Sequence, residues 1–446
     1  GVMVNAEHPS AYKLTSLSAT ADADGTVIAV ADASYEIVNQ RQQGNIQLVR
    51  LQQDGIQTWW SVSSAEGNTI ELQETLSRTT TADGTLLYNG APQDAGRFFQ
   101  VGSFAKLVIN GEEVDRLEQV DAFQFLAAIQ QSDITRFIPV SFEDDGEQVT
   151  VWYQTVTPGE RLMRPGVRFK IAEDSTLLSK LDFISLMLAL FLGTAALPHI
   201  LIRYYTVRRP RDARKSTVVA IAAIGFFYIL TLFLGMGAMV SGVLDVESSN
   251  MSAPLLAQNF GVILFACISA LAFATVLGTV SGLIVASCGA VVHDLMHHFM
   301  GMKLSEQSQV RTGKVVAAVV GSIAILLGIV FKDTNVSFLV GLAFAVAASA
   351  NLPSIVMLLF WKRTTARGIT ASILAGIVSS LGLILFSPMM WNIYGLGAAN
   401  APVPLENPGI ISIPLSFVVL VVVSLATQPA HVSAADTQVQ AELIAK

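Results

Sequence analysis

The chain has 446 residues, 52% hydrophobic and 14% charged, with a mean hydropathy of +0.54 and a formal net charge of −7. These values exclude an ordinary soluble enzyme and suit a membrane protein. Residues 1–180 hold 24 acidic and 13 basic side chains, whereas the remainder holds 10 acidic and 14 basic ones, nearly all the bases lying between apolar segments. That split predicts a solvated acidic domain followed by membrane helices. No basic groove exists beyond the short loops, so no nucleic-acid partner is expected.

Residues 1–14 read as an extracellular loop. Residues 15–158 read as an extracellular, mostly-β insert domain. Turn pairs recur along it: Asp24-Gly25, Asp54-Gly55, Asp83-Gly84, Asn89-Gly90, Asn110-Gly111 and Asp145-Gly146. Such pairs supply the positive φ that tight hairpins require. Between them lie alternating or β-branched runs, TVIAV, NIQLVRL, TWWSVSS, AKLVING and QVTVWYQTV. One helix is predicted near Val120–Gln131. ADGT occurs at 23–26 and again at 82–85, a short echo that leaves a duplicated hairpin open. Trp59 and Trp60 offer either a ligand platform or strand packing, with one ring in the core and one on a surface, and packing is the favoured reading. The domain shows no metal-ligand cluster, nucleophile elbow or Gly-rich phosphate loop. Residues 159–180 read as a connector.

From Leu181 the pattern becomes membrane-spanning, each run being near the 20 apolar residues a bilayer needs. The spans are predicted at 181–204, 216–241, 259–289, 313–331, 335–360, 368–388 and 410–427. The 203–215 loop carries six bases, the 293–314 loop has Lys303, Arg311 and Lys314, and the 360–368 loop has Lys362, Arg363 and Arg367. By the positive-inside rule those loops are cytoplasmic. Residues 1–180 then lie outside the cell and the polar tail, 428–446, inside. Position 1 is Gly, and no signal peptide precedes the outer domain. A C-terminal fragment lacking upstream membrane helices is therefore expected. Cys267 and Cys288 lie at opposite ends of one predicted helix, so no internal disulfide is expected.

The run Phe191–Tyr205 carries the wrong residues for a plain span. Gly193 has no Cβ and Pro198 has no N–H, so backbone groups between them should leave the helical ladder. In hydrocarbon, freed backbone is tolerated only where it is packed in protein or lines a polar cavity. Broken spans of this kind hold transporter substrates. Gly193, Thr194 and Ala195 are thus candidates to bind a carboxylate through exposed N–H groups. The competing reading is that Gly193 only lets another helix approach closely. His199 and Arg203 follow, either as part of a gate or as interfacial groups, with Arg203 snorkelling to lipid phosphate.

GTAALPHILIRYYTV followed by RDARKS resembles the Gly-Thr-Ala-x-Leu-Pro-His-Ile-x-x-Arg segment of the sodium:solute symporter family, in its acetate permease (cation/acetate, monocarboxylate symporter) branch. LAFATVL…AVVHDL at 271–295, FLVGLAFAVAASANLP at 338–353 and FWKRTTARG at 360–368 resemble it too. The resemblance covers about residues 160–430. It implies a leucine-transporter-like fold of two inverted repeats, of which this α-helical polytopic chain holds the second half in about seven spans. It implies symport of a small monocarboxylate of the acetate, propionate or pyruvate class, driven by a coupling ion, Na+ or H+, in the plasma membrane. Neither a cofactor nor an enzyme activity is implied.

Thr275 and Thr279 are four residues apart and share a helix face. Hydroxyl and carbonyl oxygens suit a hard cation. The family carries an adjacent Ser/Thr pair for sodium, which falls here on Gly278 and Thr279. The first hydroxyl is absent in this chain, which leaves a proton or a backbone-dominated site open. The competing reading has each hydroxyl bonding its own i−4 carbonyl. His293, His297 and His298 make a metal-like run, but only Asp294 supports it, so no metal is expected. Asp294 instead matches the end of the family's helix, where it would order the inner loop. Gly341, Ala345 and Ser349 read as close helix packing, and Asn351 and Pro353 as a kink. A membrane-anchored receptor or sensor with a ligand-binding β domain is the alternative. The broken helix and the small and hydroxyl residues on later spans favour the transporter.

Overall fold

The computed structural model describes residues 4–5, 15–22, 25–66, 69–92, 98–117, 120–164, 171, 176–201, 204, 206–302, 305–331, 334 and 336–428. Arg203, most of the expected loop 1–14 and the expected tail beyond Gln428 lie outside the described residues. Two compact units form, Gly1–Pro165 with Ala222–Phe273, and Gly166–Ile221 with Ala274–Lys446.

The first unit holds the β-rich insert. One six-stranded antiparallel sheet runs in the order Val27–Val30, Ser16–Ala21, Thr69–Glu74, Ile56–Glu66, Ile46–Gln53, Glu36–Gln43. Its two edge strands are bridged by the Gln40 side-chain amide, which donates to the Val27 carbonyl (2.5 Å) and accepts from the Val27 N–H (2.8 Å). The bridge satisfies edge groups that would otherwise be open to pairing. A second six-stranded sheet runs Ala91–Pro92, Leu86–Tyr88, Leu76–Thr80, Glu147–Pro158, Asp133–Asp144, Ser103–Lys106.

Two-residue turns set the hairpin registers. Asp54-Gly55, Asn89-Gly90, Asn110-Gly111 and Asp145-Gly146 each place both residues at positive φ. That is the type I′ geometry whose twist matches the strands it joins. Asp83-Gly84 differs, since only Gly84 is at positive φ. There the Asp83 carboxylate collects the hydroxyls of Thr81 and Thr85 and the Thr85 N–H. Those bonds hold its carboxyl below the ordinary carboxylate range.

Both tryptophans are buried, which corrects the expectation of one core ring and one surface ring. Trp60 packs inside the first sheet with Val49, Leu51, Ile70 and Leu72. Trp59 points to the opposite face, where Leu48 and the second sheet's Phe142, Val149 and Val151 enclose it. Both faces of this strand are covered, so the period-two alternation no longer separates inside from outside.

Helix α1 (Ala122–Gln131) opens on a capping box. Asp121 accepts from the N–H groups of Phe123 and Gln124, and Gln124 accepts from the Asp121 N–H. Two later helices follow at the insert's end and after it: α2 (Gly159–Leu162) and, in the second unit, α3 (Leu177–Thr194). After α3 come α4 (Pro198–Leu201) and α5 (Pro210–Val240). Within the first unit the insert packs on the end of α5. Phe104, Leu107, Ile129 and Ile134 share one core with Val240, joined by Met236 and Met239. Val101 and Leu244 exchange N–H···O bonds of 2.9 Å, and Arg78 pairs with Glu247 at 2.7 Å.

The remaining helices are α6 (Ser252–Asn259), α7 (Val262–Gly289), α8 (Glu306–Val330), α9 (Val336–Phe360), α10 (Ala366–Leu385), α11 (Pro388–Ile393) and α12 (Gly409–Ala426). Among the described residues seven helices are long and apolar enough to cross a membrane: α3 with α4, α5, α7 with its extension, α8, α9, α10 and α12. The protein is a polytopic helical membrane protein with a mostly-β N-terminal region. Several helices start before the apolar run does. α5 begins at Pro210, whose fixed φ suits a first helical position, and α8 begins at Glu306 behind the Ser305 cap, which accepts from the Ser308 N–H. α7 runs on into a π-helical segment, Ala290–Phe299.

In the second unit α3, α9, α10 and α12 bury part of their spans, whereas α7 and α8 bury no residue and α5 buries only Ala238 and Val240, at its end. The packed group relies on small residues at four-residue intervals. On α10 these are Gly368, Ser372, Gly376 and Ser380, all buried; Gly368 faces Ser424 and Ser372 faces Ser416 of α12, and Gly376 faces Ser349 of α9. Ser372 and Ser416 bond reciprocally, each hydroxyl donating to the other's carbonyl (3.0 and 2.9 Å). The Ser349 and Ser412 hydroxyls lie 2.7 Å apart. Lipid supplies no hydrophobic drive for helix association, so close approach and such bonds hold these helices together. Pro353 removes the helical donor for the Ser349 carbonyl. Gly376 lies against that carbonyl, where a Cβ would overlap it.

Candidate functional site: the interruption between α3 and α4

The α3 helix ends at Thr194, and the Ala196 N–H turns back to the Gly193 carbonyl at 2.9 Å. Pro198 then starts α4. It has no N–H, and it disfavours helical geometry at Leu197. The Ile200 N–H bonds the Leu197 carbonyl (3.1 Å) and so leaves the Ala196 carbonyl without its helical donor. Ala196 is fully buried. Its carbonyl is taken by the side-chain amide of Asn351 on α9, at 3.1 Å. The chain thus breaks where the sequence predicts, and a polar side chain from another span satisfies the break, as hydrocarbon surroundings demand. Asn351, read from sequence only as part of a kink, is the residue that the sequence reading missed. Its signal was an amide directly after the small run Ala347–Ala350 and two residues before Pro353.

The three candidate carboxylate-binding residues divide. Gly193 is buried, and a Cβ there would meet the Phe344 carbonyl of α9. Close helix approach accounts for this glycine. Thr194 and Ala195 are exposed. The Thr194 hydroxyl donates to the Leu190 carbonyl at 2.7 Å. Pro198 is exposed and His199 half-buried.

Thr275, Gly278 and Thr279 are exposed on α7, which has no buried residue. The Thr279 hydroxyl donates to the Thr275 carbonyl, 3.0 Å away. A Cβ at Gly278 would meet nothing within 4 Å. Asp294 lies in the π-helical segment, exposed, 3.3 Å from Nδ1 of His293. The side chains of His297 and His298 lie outside the described ones. Helix α3 packs mainly on α9 and α12, so its break is organised by α9 rather than by the threonines of α7.

A second polar cluster ties the start of α3 to the start of α12. The Asp182 carboxylate accepts from the Asn407 N–H (2.8 Å) and side-chain amide (3.0 Å). Ser185 donates to the Asn407 carbonyl (2.7 Å) and accepts from the Ile410 N–H (2.9 Å). Asn407 Oδ1 is buried and accepts no hydrogen bond among the described residues. Sequence reading gave no sign of this cluster, since its partners are 225 positions apart.

The model of the sodium:solute symporter family matches residues 134–376, more than half of the chain. The chain belongs to that family. The match starts within the insert's last long strands, earlier than the resemblance at about residue 160. Among curated relatives, the chain is 44% identical over 274 residues to the "Uncharacterized symporter YwcA" of Bacillus subtilis (strain 168), covering 59% of this chain and 52% of that one. It is 45% identical over 271 residues to the "Monocarboxylic acid transporter" of Corynebacterium glutamicum, covering 58% of this chain and 48% of that one. Both are consistent with the acetate permease branch of the family. The chain spans about half the length of these relatives. No solved structure matches it.

Proposed function

We propose that the full-length protein is a secondary active transporter that carries a small monocarboxylate, of the acetate, propionate or pyruvate class, together with Na+ or H+. The observation that carries this reading is the interrupted α3–α4 helix, with its buried carbonyl held by Asn351, in a chain of the symporter family. An interrupted span frees backbone groups from the helical ladder at membrane depth, and transporters hold substrate and ion at such breaks. A simple membrane anchor or sensor needs no such break, and no enzyme chemistry is called for.

On this reading the carboxylate is held beside Thr194 and Ala195, with Gly193 setting the approach of α9. Pro198 fixes the interruption, and His199 and Arg203 contribute to gating. Thr275 and Thr279 supply oxygens to the cation, with the Gly278 backbone between them. Thr194, Ala195, Thr275, Gly278 and Thr279 are exposed here, and helices from the rest of a relative-sized protein would cover them. The insert lies outside the cell, with Asp294 on the inner side. Uptake of labelled acetate, propionate and pyruvate by cells expressing the full-length protein tests the reading. Uptake of at least one acid above the background of the non-expressing cells supports it, and background uptake of all three overturns it.

A further inference from the structure

Helix α1 of the insert is unlike the domain that carries it. Its ten residues, AFQFLAAIQQ, include no charge, although residues 1–180 hold 24 acidic and 13 basic side chains. One flank packs inward, with Ala128 and Ile129 buried in the core that the insert shares with Val240. The Phe125 ring meets the Phe233 ring of α5, centroids 6.4 Å apart. Phe233 sits seven residues before the end of that span, about 10 Å along its axis. Phe123, on the first turn, is 84% exposed, the highest value among the large apolar side chains described.

We propose that α1 is a membrane-seated anchor, with Phe123 buried in the acyl-chain boundary of the leaflet on the insert's side. Its position carries the assignment. The Phe125–Phe233 contact fixes the first turn beside a membrane-crossing helix, below that helix's end. Phe123 is exposed, and so are Phe226, Phe227, Leu230 and Leu234 of the same α5 that Phe125 meets. Interfacial helices bury an apolar face roughly 5–10 Å into the headgroup and acyl boundary, which agrees with the depth of Phe233. The capping box completes the fit. The Asp121 cap and Gln124 pair the N–H groups of Asp121, Phe123 and Gln124 locally, which lowers the cost of moving the turn out of bulk water. The bilayer therefore holds the insert on one side while its core grips the end of α5. This inference does not depend on what the protein carries.

The test is a fluorescence depth measurement on the full-length protein in lipid vesicles, with the other cysteines replaced. An NBD label is placed at Phe123→Cys and, as the control, at the exposed Ile28→Cys on the first sheet. The expected result at 123 is blue-shifted emission, protection from aqueous iodide, and quenching by lipid with a shallow acyl-chain doxyl that exceeds quenching by deep doxyl. The control emits as in water and is quenched by iodide. Water-like emission at 123 overturns the proposal. Protection from iodide without quenching by either doxyl lipid overturns it too, because protein and not lipid then covers the helix.

Discussion

Asn351 on α9 donates its side-chain amide to the carbonyl oxygen of Ala196, 3.1 Å away, at the point where α3 gives way to α4. One hydrogen bond thus satisfies the carbonyl that the Pro198 break frees in a hydrocarbon setting. Asn351→Leu keeps the volume and removes the donor. A buried acceptor left unmade costs about 1–3 kcal/mol. The variant should lose that much stability in a denaturant titration and should also lose uptake. Unchanged stability would show that the carbonyl finds another donor and that Asn351 is incidental.

Two glycines of α10 predict opposite outcomes. A Cβ on Gly376 overlaps the Ser349 carbonyl, whereas one on Gly382 meets nothing within 4 Å. Gly376→Ala should destabilise by about 1–3 kcal/mol through overpacking. Gly382→Ala should be neutral or should stabilise by up to about 1 kcal/mol through helix propensity. Thermal unfolding of both variants in one detergent decides the matter, and equal effects would refute the close α9–α10 approach.

The reciprocal Ser372–Ser416 pair predicts coupling between α10 and α12. A double-mutant cycle with Ser372→Ala and Ser416→Ala should give a coupling energy of about 0.6 kcal/mol, and no more than about 1.7 kcal/mol. Strict additivity would mean that shape alone, and not the hydroxyls, joins the helices.

The parts legible in the sequence were those fixed locally. Asp54-Gly55 and Asp145-Gly146 announce their hairpins because few other residue pairs adopt two positive φ angles. Pro198 announces the break because it has no N–H to give. What was hidden depends on partners distant in sequence. Ser372, Ser416 and Asn407 look like ordinary polar residues until a second helix supplies their bonds, and Asp182 meets Asn407 across 225 positions. Trp59 misled for a related reason, since nothing in its own strand says that a second sheet will cover its outer face.

The cation reading turns on Thr279. Its hydroxyl now bonds the Thr275 carbonyl, and a helix can do that with no ligand at all. In the full-length protein, Thr279→Val keeps the shape and removes the oxygen. Losing one ligand of a desolvated cation costs about 1–3 kcal/mol, roughly a tenfold to hundredfold rise in the cation concentration for half-maximal uptake. Gly278→Ser has room for its side chain and should act oppositely if sodium is the driver. If Thr279→Val leaves the dependence on both sodium and pH unchanged, the ion binds elsewhere.

The central claim is coupled transport, and gradient-driven uptake tests it most directly. The purified full-length protein is reconstituted into vesicles, and labelled acetate, propionate and pyruvate are supplied under an inward sodium gradient alone, an inward proton gradient alone, or neither. The account predicts that one acid accumulates above its external concentration under one of the two gradients and runs down when that gradient is collapsed. Entry that only equilibrates, or that ignores both gradients, would contradict it.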